Sequence, residues 1–149
     1  MFLLDVEIIK VVGIVLKIER IKTEKMKKPT RKSIIIKLDT VFSQYIRRKD
    51  AINDIAECIT CNKKDHYKKL QCGHFMSRRH YSTRWDENNV GVQCYGCNIT
   101  NQGQQYIFSQ YLGNNLSEEM YLKSKQIVKF ADVDLIDMID YYTEKVSML

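Results

Sequence analysis

The sequence has no apolar run long enough to cross a bilayer. The stretch from Phe2 to Ile21 is rich in Val, Ile and Leu, but Asp5, Glu7, Lys10, Lys17, Glu19 and Arg20 interrupt it. A basic start followed by a clean apolar block and a small-residue cleavage site is also missing, which argues against secretion. The expectation is a cytoplasmic chain with no membrane partner. Proline is nearly absent, Pro29 being the single one, and there is no internal repeat or low-complexity tract. The strand-helix context that a thioredoxin-like Cys-x-x-Cys requires is missing as well, so redox use of the cysteines is disfavoured.

At 149 residues with 44% hydrophobic content, the chain is the size of one ordinary domain with enough apolar material for a core. Its net charge of +6 is unevenly spread. Residues 1–57 carry 13 basic and 8 acidic side chains, residues 58–116 carry 7 and 3, and residues 117–149 carry 4 and 7, giving +5, +4 and −3. A cationic body with an acidic end suits a polyanion such as nucleic acid, because each phosphate neutralised by Lys or Arg releases condensed counterions. A solvated basic surface would look the same from charge alone.

Five cysteines in a reducing compartment are not read as disulfides. Four form two pairs, Cys58-x-x-Cys61 and Cys94-x-x-Cys97, separated by 32 residues. Two such pairs supply the four thiolates of a tetrahedral structural Zn²⁺ site, closed to further ligands and therefore a staple for the fold. Cys72 is left over, either a small buried residue or a substitute ligand.

Around the cysteines the apolar pattern is helical. Leu38, Val41, Phe42, Tyr45 and Ile46 recur at helical spacing up to Ala51, with Arg47, Arg48 and Lys49 near the C-terminal end. Tyr106, Phe108, Tyr111 and Leu112 suggest a helix closed by Gly113, and Ser117 before Glu118 and Glu119 reads as the N-cap of a second. A third starts at Asp132, with Leu135, Met138, Ile139, Tyr142 and Val146 on one face. Residues 22–37 hold seven Lys or Arg against Glu24 alone and read as an exposed basic linker or DNA-binding arm. Residues 2–21 fit either two short strands turning at Gly13 or a poorly patterned helix. The expected organisation is therefore an apolar segment and basic linker at 1–37 and a body at 38–149, metal-organised over about 58–105 and helical over 106–149. The fold class is α+β.

Between the cysteine pairs lie Gly73-His74-Phe75, on a strand running into a loop, and the basic run Arg78-Arg79-His80. Asn89 stands before the second pair and Asn98 directly follows it. This arrangement resembles the His-Asn-His (ββα-metal) nuclease motif over about Cys58 to Gly103. The pieces Cys58-x-x-Cys61, Gly73-His74-Phe75, Arg84-Trp85-Asp86-Glu87-Asn88-Asn89-Val90, Gln93-Cys94-x-x-Cys97-Asn98 and Gly103 together resemble the NinG (Rap) group of phage recombination endonucleases, with a more distant likeness to recombination endonuclease VII.

The resemblance implies a treble-clef-like module with flanking helices, acting on DNA and in particular on branched recombination intermediates. It implies His74 as the general base, Asn89 as the residue that holds the His-bearing loop, and Asn98 as an oxygen ligand of a catalytic Mg²⁺ or Mn²⁺ beside His74. Recombination proteins and a second copy of the chain are the implied protein partners. Many His-Asn-His nucleases carry a metal-binding Asp just before the first His, where this chain has Gly73. Asp86, His80 or Asp65 would then complete the cation site, Asp86 first. Arg78, Arg79 and Arg84 flank the proposed base and are read as phosphate contacts, whereas Trp85 reads as core and His66 as a surface residue. The rival reading is a non-catalytic zinc-finger module that binds nucleic acid or protein; it uses the cysteines and has no task for His74 or Asn98.

Overall fold

The structure is a computed structural model that describes residues 28–149. The segment 2–21, with its two alternative readings, lies outside the described residues. The chain divides into two units, Met1–Thr30 and Arg31–Leu149, and the second holds every element discussed below.

Helix α1 spans Arg31–Arg48 and buries Ile34, Leu38, Phe42 and Ile46. These four positions recur at i, i+4, the spacing that lines one face of a helix. The helix therefore starts seven residues before Leu38, and the C-terminal part of the supposed linker is its first two turns. The count of basic residues between 22 and 37 obscured Ile34, which continues the apolar stripe backwards. Pro29 stands just outside the start. Lys and Arg on the remaining faces leave the apolar stripe intact.

A short antiparallel pair follows, β1 (Ile55–Glu57) with β2 (Lys64–His66), which carries the first cysteine knuckle at its turn. A 3₁₀ turn at Tyr67–Lys69 leads into β3 (Gln71–His74), which pairs antiparallel with β4 (Val90–Gln93) in the register Gln71↔Gln93 to His74↔Val90. The loop between them ends in a second 3₁₀ turn, Glu87–Asn89. After β4 comes a wide helical turn, Gly96–Thr100, closed by an i→i+5 bond from Asn101 N–H to the Gly96 carbonyl. Helices α2 (Gln105–Leu112), α3 (Asn114–Ser124) and α4 (Asp132–Ser147) complete the chain.

Gly113 closes α2 as expected, its N–H bonded to the Ser109 and Gln110 carbonyls. It also directly precedes α3, which begins at Asn114. Ser117 is accordingly an interior residue whose hydroxyl donates back to the Asn114 carbonyl, and the N-cap reading is corrected. Helix α4 starts at Asp132 and buries Leu135, Ile139 and Tyr142; Asp134 accepts the N–H of Ala131 at its entrance. Among the described residues no helix is long and apolar enough to cross a membrane.

The core is one cluster in which α1 lies between α4 and the β3–β4 hairpin. Phe42 meets Tyr142 edge to face at 4.9 Å, and Trp85, Val90 and Val92 join from the hairpin side. The opposite face of the hairpin carries Gly91, where a Cβ would collide with the Ile59 side chain, so the first knuckle can sit directly on β4 only over a glycine. The Ile59 N–H bond to the Val92 carbonyl, 2.9 Å, completes that junction. Phe108 and Met120 are fully buried on α2 and α3.

Leu38→Ala should lower unfolding free energy by about 2–5 kcal/mol, the range for removing a fully buried leucine, whereas Ile36→Ala, on the exposed side of the same helix, should stay within about 0.5 kcal/mol. Denaturant unfolding of the two variants checks the assignment of the buried stripe; equal effects would contradict it.

Candidate active site

The sulfur atoms of Cys58, Cys61, Cys94 and Cys97 lie within 4.8 Å of one another. Cys61 Sγ and Cys94 Sγ are 3.8 Å apart. A tetrahedron with metal–sulfur bonds of about 2.3 Å has edges of about 3.8 Å, so these sulfurs are placed to hold a metal such as zinc. Backbone geometry makes the first knuckle: Asn62 adopts φ +60°, its N–H bonds the Cys58 carbonyl and Cys58 N–H bonds the Lys63 carbonyl. The Gln104 amide donates to Cys97 Sγ at 3.2 Å.

The thiols do not share charge evenly. Burial opposes ionisation of Cys58, but the Thr60 hydroxyl and neighbouring backbone N–H groups outweigh it and bring the thiol down to about 6. At Cys61 the Lys63 backbone favours the thiolate, yet burial and the three neighbouring sulfurs push the thiol up to about 12. Four adjacent thiolates need a cation to coexist. Cys72 takes no part: it stands outside the cluster and burial pushes its thiol up to about 12.

His74 ends β3. Its Nε2 faces the Arg84 carbonyl at 2.9 Å. A carbonyl only accepts, so Nε2 carries the proton and, in the neutral ring, Nδ1 keeps the lone pair. Burial pushes the imidazole below its ordinary value, against the bond to Arg84, which favours the cation; the nearby Arg78 charge adds to the lowering.

The loop after His74 is held from within by Asn89. This fully buried amide accepts the Met76 N–H at 2.7 Å and donates to the Met76 and Thr83 carbonyls, both at 2.9 Å. The Asn89 carbonyl takes the Phe75 N–H. Both ends of the amide are satisfied, so Asn89 shapes the loop and has no capacity left for a ligand.

Other expected site residues are placed differently from their sequence reading. Arg84 does not face outward: its Nε and Nη2 grip both oxygens of Asp39 on α1 at 3.0 and 2.6 Å, and Nη1 donates to the Arg78 carbonyl. Trp85, buried as expected, adds its indole N–H to the same Asp39 carboxylate. Asp86 is also engaged, one oxygen capping the 3₁₀ turn through Asn88 N–H and the other pairing with Lys123. The substitutes for it are no freer. Asp65 pairs with Lys63 and Lys69, and His80 Nε2 accepts from Arg79. Arg78 and Arg79 are exposed, as is expected of surface cations.

Asn98 sits in the wide turn Gly96–Thr100 rather than at the start of a regular helix. Its amide nitrogen donates to the Gln71 side-chain oxygen at 2.7 Å, and no described donor reaches its Oδ1. Strand alternation puts Gln71 and His74 on opposite faces of β3. Asn98 is thus joined to the strand that carries the imidazole, with no hydrogen bond to the imidazole itself. Among the described residues the sulfur cluster is the only convergence of three or more His, Cys, Asp or Glu side chains.

Gln71, Gln93 and Asp39 are site residues that sequence reasoning missed. Gln93 lies opposite Gln71 in the register and donates its amide to the Gly103 carbonyl at 2.8 Å. A Cβ on Gly73 would overlap the Gln93 side-chain oxygen, which explains the glycine before His74: the space for a carboxylate there is filled from β4. The Gln71–Gln93 pairing had a visible signal, polar residues at matched positions of two short strands. Asp39 had none, since its partner Arg84 is 45 residues away.

A family described as bacteriophage lambda NinG protein matches residues 16–149. The chain belongs to the NinG family. No curated protein and no solved structure matches it. For this NinG-family chain the match takes in both cysteine knuckles, the hairpin and the four helices of the described residues.

Removing the metal should cost most of the fold between Cys58 and Cys97, because metal affinity of such a site is folding free energy, on the order of 10 kcal/mol in zinc-finger peptides. Metal analysis should give one zinc per chain, and a strong chelator should abolish cooperative unfolding. A metal-free chain that melts at the same temperature would contradict the staple.

Proposed function

We propose that this chain is a divalent-metal-dependent endonuclease of the His-Asn-His type that hydrolyses phosphodiester bonds of DNA, with branched recombination intermediates as the substrate class. The observation that carries the reading is the His74 imidazole. It is held at the end of a strand with Nε2 committed to the Arg84 carbonyl, and burial favours its neutral form against the Arg84 and Cys72 backbone and the Asp39 charge. A neutral imidazole in a fixed tautomer is what a general base needs. Exposed Arg78 and Arg79 beside it, in a region with an excess of positive charge, favour a polyanionic substrate. The preference for branches rests on the family resemblance and on no particular residue.

In this reading Nδ1 takes a proton from water as the water oxygen attacks phosphorus, and the bond to the leaving oxygen opposite breaks. Asn89 and the Asp39–Arg84 pair do not touch the reacting atoms; they fix where the imidazole stands. Asn98 Oδ1, joined through Gln71 to the face of β3 away from the imidazole, would hold a hard cation only with water and phosphate oxygens spanning the distance to the reacting phosphate. Such a cation would offset charge on the phosphate and the departing oxygen. Asp86, tied to Lys123 and Asn88, is left out of this set.

A second reading keeps one observation in its favour. Among the described residues no carboxylate lines the groove at Asn98, so a structural sulfur site with a basic surface, without hydrolysis, is the alternative. Cleavage of a four-way junction with Mg²⁺ separates the two. The unaltered protein should cut, and His74→Ala should cut about 10²–10⁴-fold more slowly with binding retained. Because the neutral ring is the active form and its pKa is lowered, the rate should fall with acid only below about pH 6.5. Equal cutting by the variant would remove His74 from the mechanism; binding without cutting by either protein would favour the alternative.

A further inference from the structure

Arg47 is a half-buried cation that, among the described residues, has no counter-charge. It stands in the last turn of α1, and its donors go to carbonyls only: Nε to Ser43 at 3.1 Å, and Nη1 to Tyr67 at 3.0 Å and Leu70 at 3.3 Å. The guanidinium also lies 5.9 Å from the centre of the Tyr67 ring, a ring it shares with Arg48 and Lys68. Among the described residues no carboxylate pairs with it, whereas Arg84, Lys49, Lys123 and Lys145 each have one. Among the described residues Nη2 meets no hydrogen-bond acceptor. Burial lowers the affinity of the group for its proton, and the neighbouring Cys72 and Tyr67 oppose that only in part.

This unpaired cation lines a groove of about 310 Å³ with Arg78, Ser43, Gln71, Cys72 and Asn98. No acidic side chain lines the groove. Its floor is β3, the strand that ends at His74. Three residue steps along the strand separate Gln71 from His74, roughly 10 Å at about 3.3 Å per residue. Along one DNA strand that is the axial rise of about three phosphates.

We propose that the groove between α1 and β3 is a phosphate-binding subsite in which the guanidiniums of Arg47 and Arg78 clamp a backbone phosphodiester a few nucleotides from the one that is cut. The inference rests on the DNA reading above and adds to it the residue that sets where the strand lies. Arg47 is anchored by three carbonyls through Nε and Nη1, so the remaining Nη2 is presented to a phosphate oxygen without further loss of side-chain freedom. Arg78 comes from the His74 loop and closes the groove from the other side. The ligand is recognised by charge and shape alone, so the subsite should be indifferent to base sequence.

The test is the salt dependence of binding to a fluorescently labelled four-way junction, measured from 50 to 200 mM salt without added divalent cation so that no strand is cut. Arg47→Met, which keeps an unbranched apolar stem, should bind about tenfold more weakly than the unaltered protein, with the slope of log affinity against log salt reduced by about one. Arg78→Gln, at an exposed position, should show the same change of slope. Should Arg47→Met fail to take up zinc, Arg47→Lys decides: it keeps the charge, so the slope should stay while affinity falls several-fold for loss of the anchored Nη2 donor. Unchanged affinity and slope in the folded Arg47 variant would overturn the subsite and leave the nuclease reading standing. An unaltered protein that binds no DNA would overturn both.

Discussion

The ion pair between Asp39 and Arg84 is the constraint on which the candidate site depends. Two parallel hydrogen bonds join α1 to the far end of the His74 loop, and the Trp85 indole seals the same carboxylate. With its side chain fixed, Arg84 presents its own carbonyl to the imidazole. A helix 35 residues earlier in the chain than His74 thereby decides which ring nitrogen carries the proton. The pair is largely shielded from water, its side chains 16% and 21% exposed, so removing one partner would leave a charge without compensation.

Charge is divided by position around this centre. The acids of the loop turn inward: Asp86 pairs with Lys123 of α3, and Glu87 with Lys49 and with Lys145 of α4. Each joins the loop to a different helix, so the segment between β3 and β4 is held on several sides without a regular element of its own. Cations left over, Arg78, Arg79 and Arg47, face a groove or solvent. The sulfur cluster works at the other end of the hairpin, tying the β1–β2 turn to the chain that follows β4. A metal held by these sulfurs would set the scaffold, and the ion pairs set the loop.

Local patterns were legible in the sequence, and long-range polar pairs were not. Spacing alone located the four cysteines, and periodicity found the buried faces of α1 and α4, because thiol spacing and apolar recurrence are properties of short windows. The start of α1 was missed where basic residues outnumber Ile34, and the start of α3 where Gly113 both ends one helix and opens the next. Arg84 and Asp86 were read as ligands since their types suit phosphate and metal; their partners, Asp39 and Lys123, lie 45 and 37 residues away and leave no local trace. Asn98 lies in a wide turn before α2 begins at Gln105, a conformation that no apolar periodicity announces. The Gly73 departure became intelligible only once Gln93 was seen in the space beside it.

The tautomer of His74 is the most direct point of test. With three histidines in the chain, ¹⁵N-labelled imidazoles can be assigned by removing His66 and His80 in turn. At pH 7 the ring of His74 should be neutral with its proton on Nε2 and should gain a second proton only below about pH 6.5. A ring protonated on Nδ1, or cationic at pH 7, would contradict the assignment of this imidazole as a base.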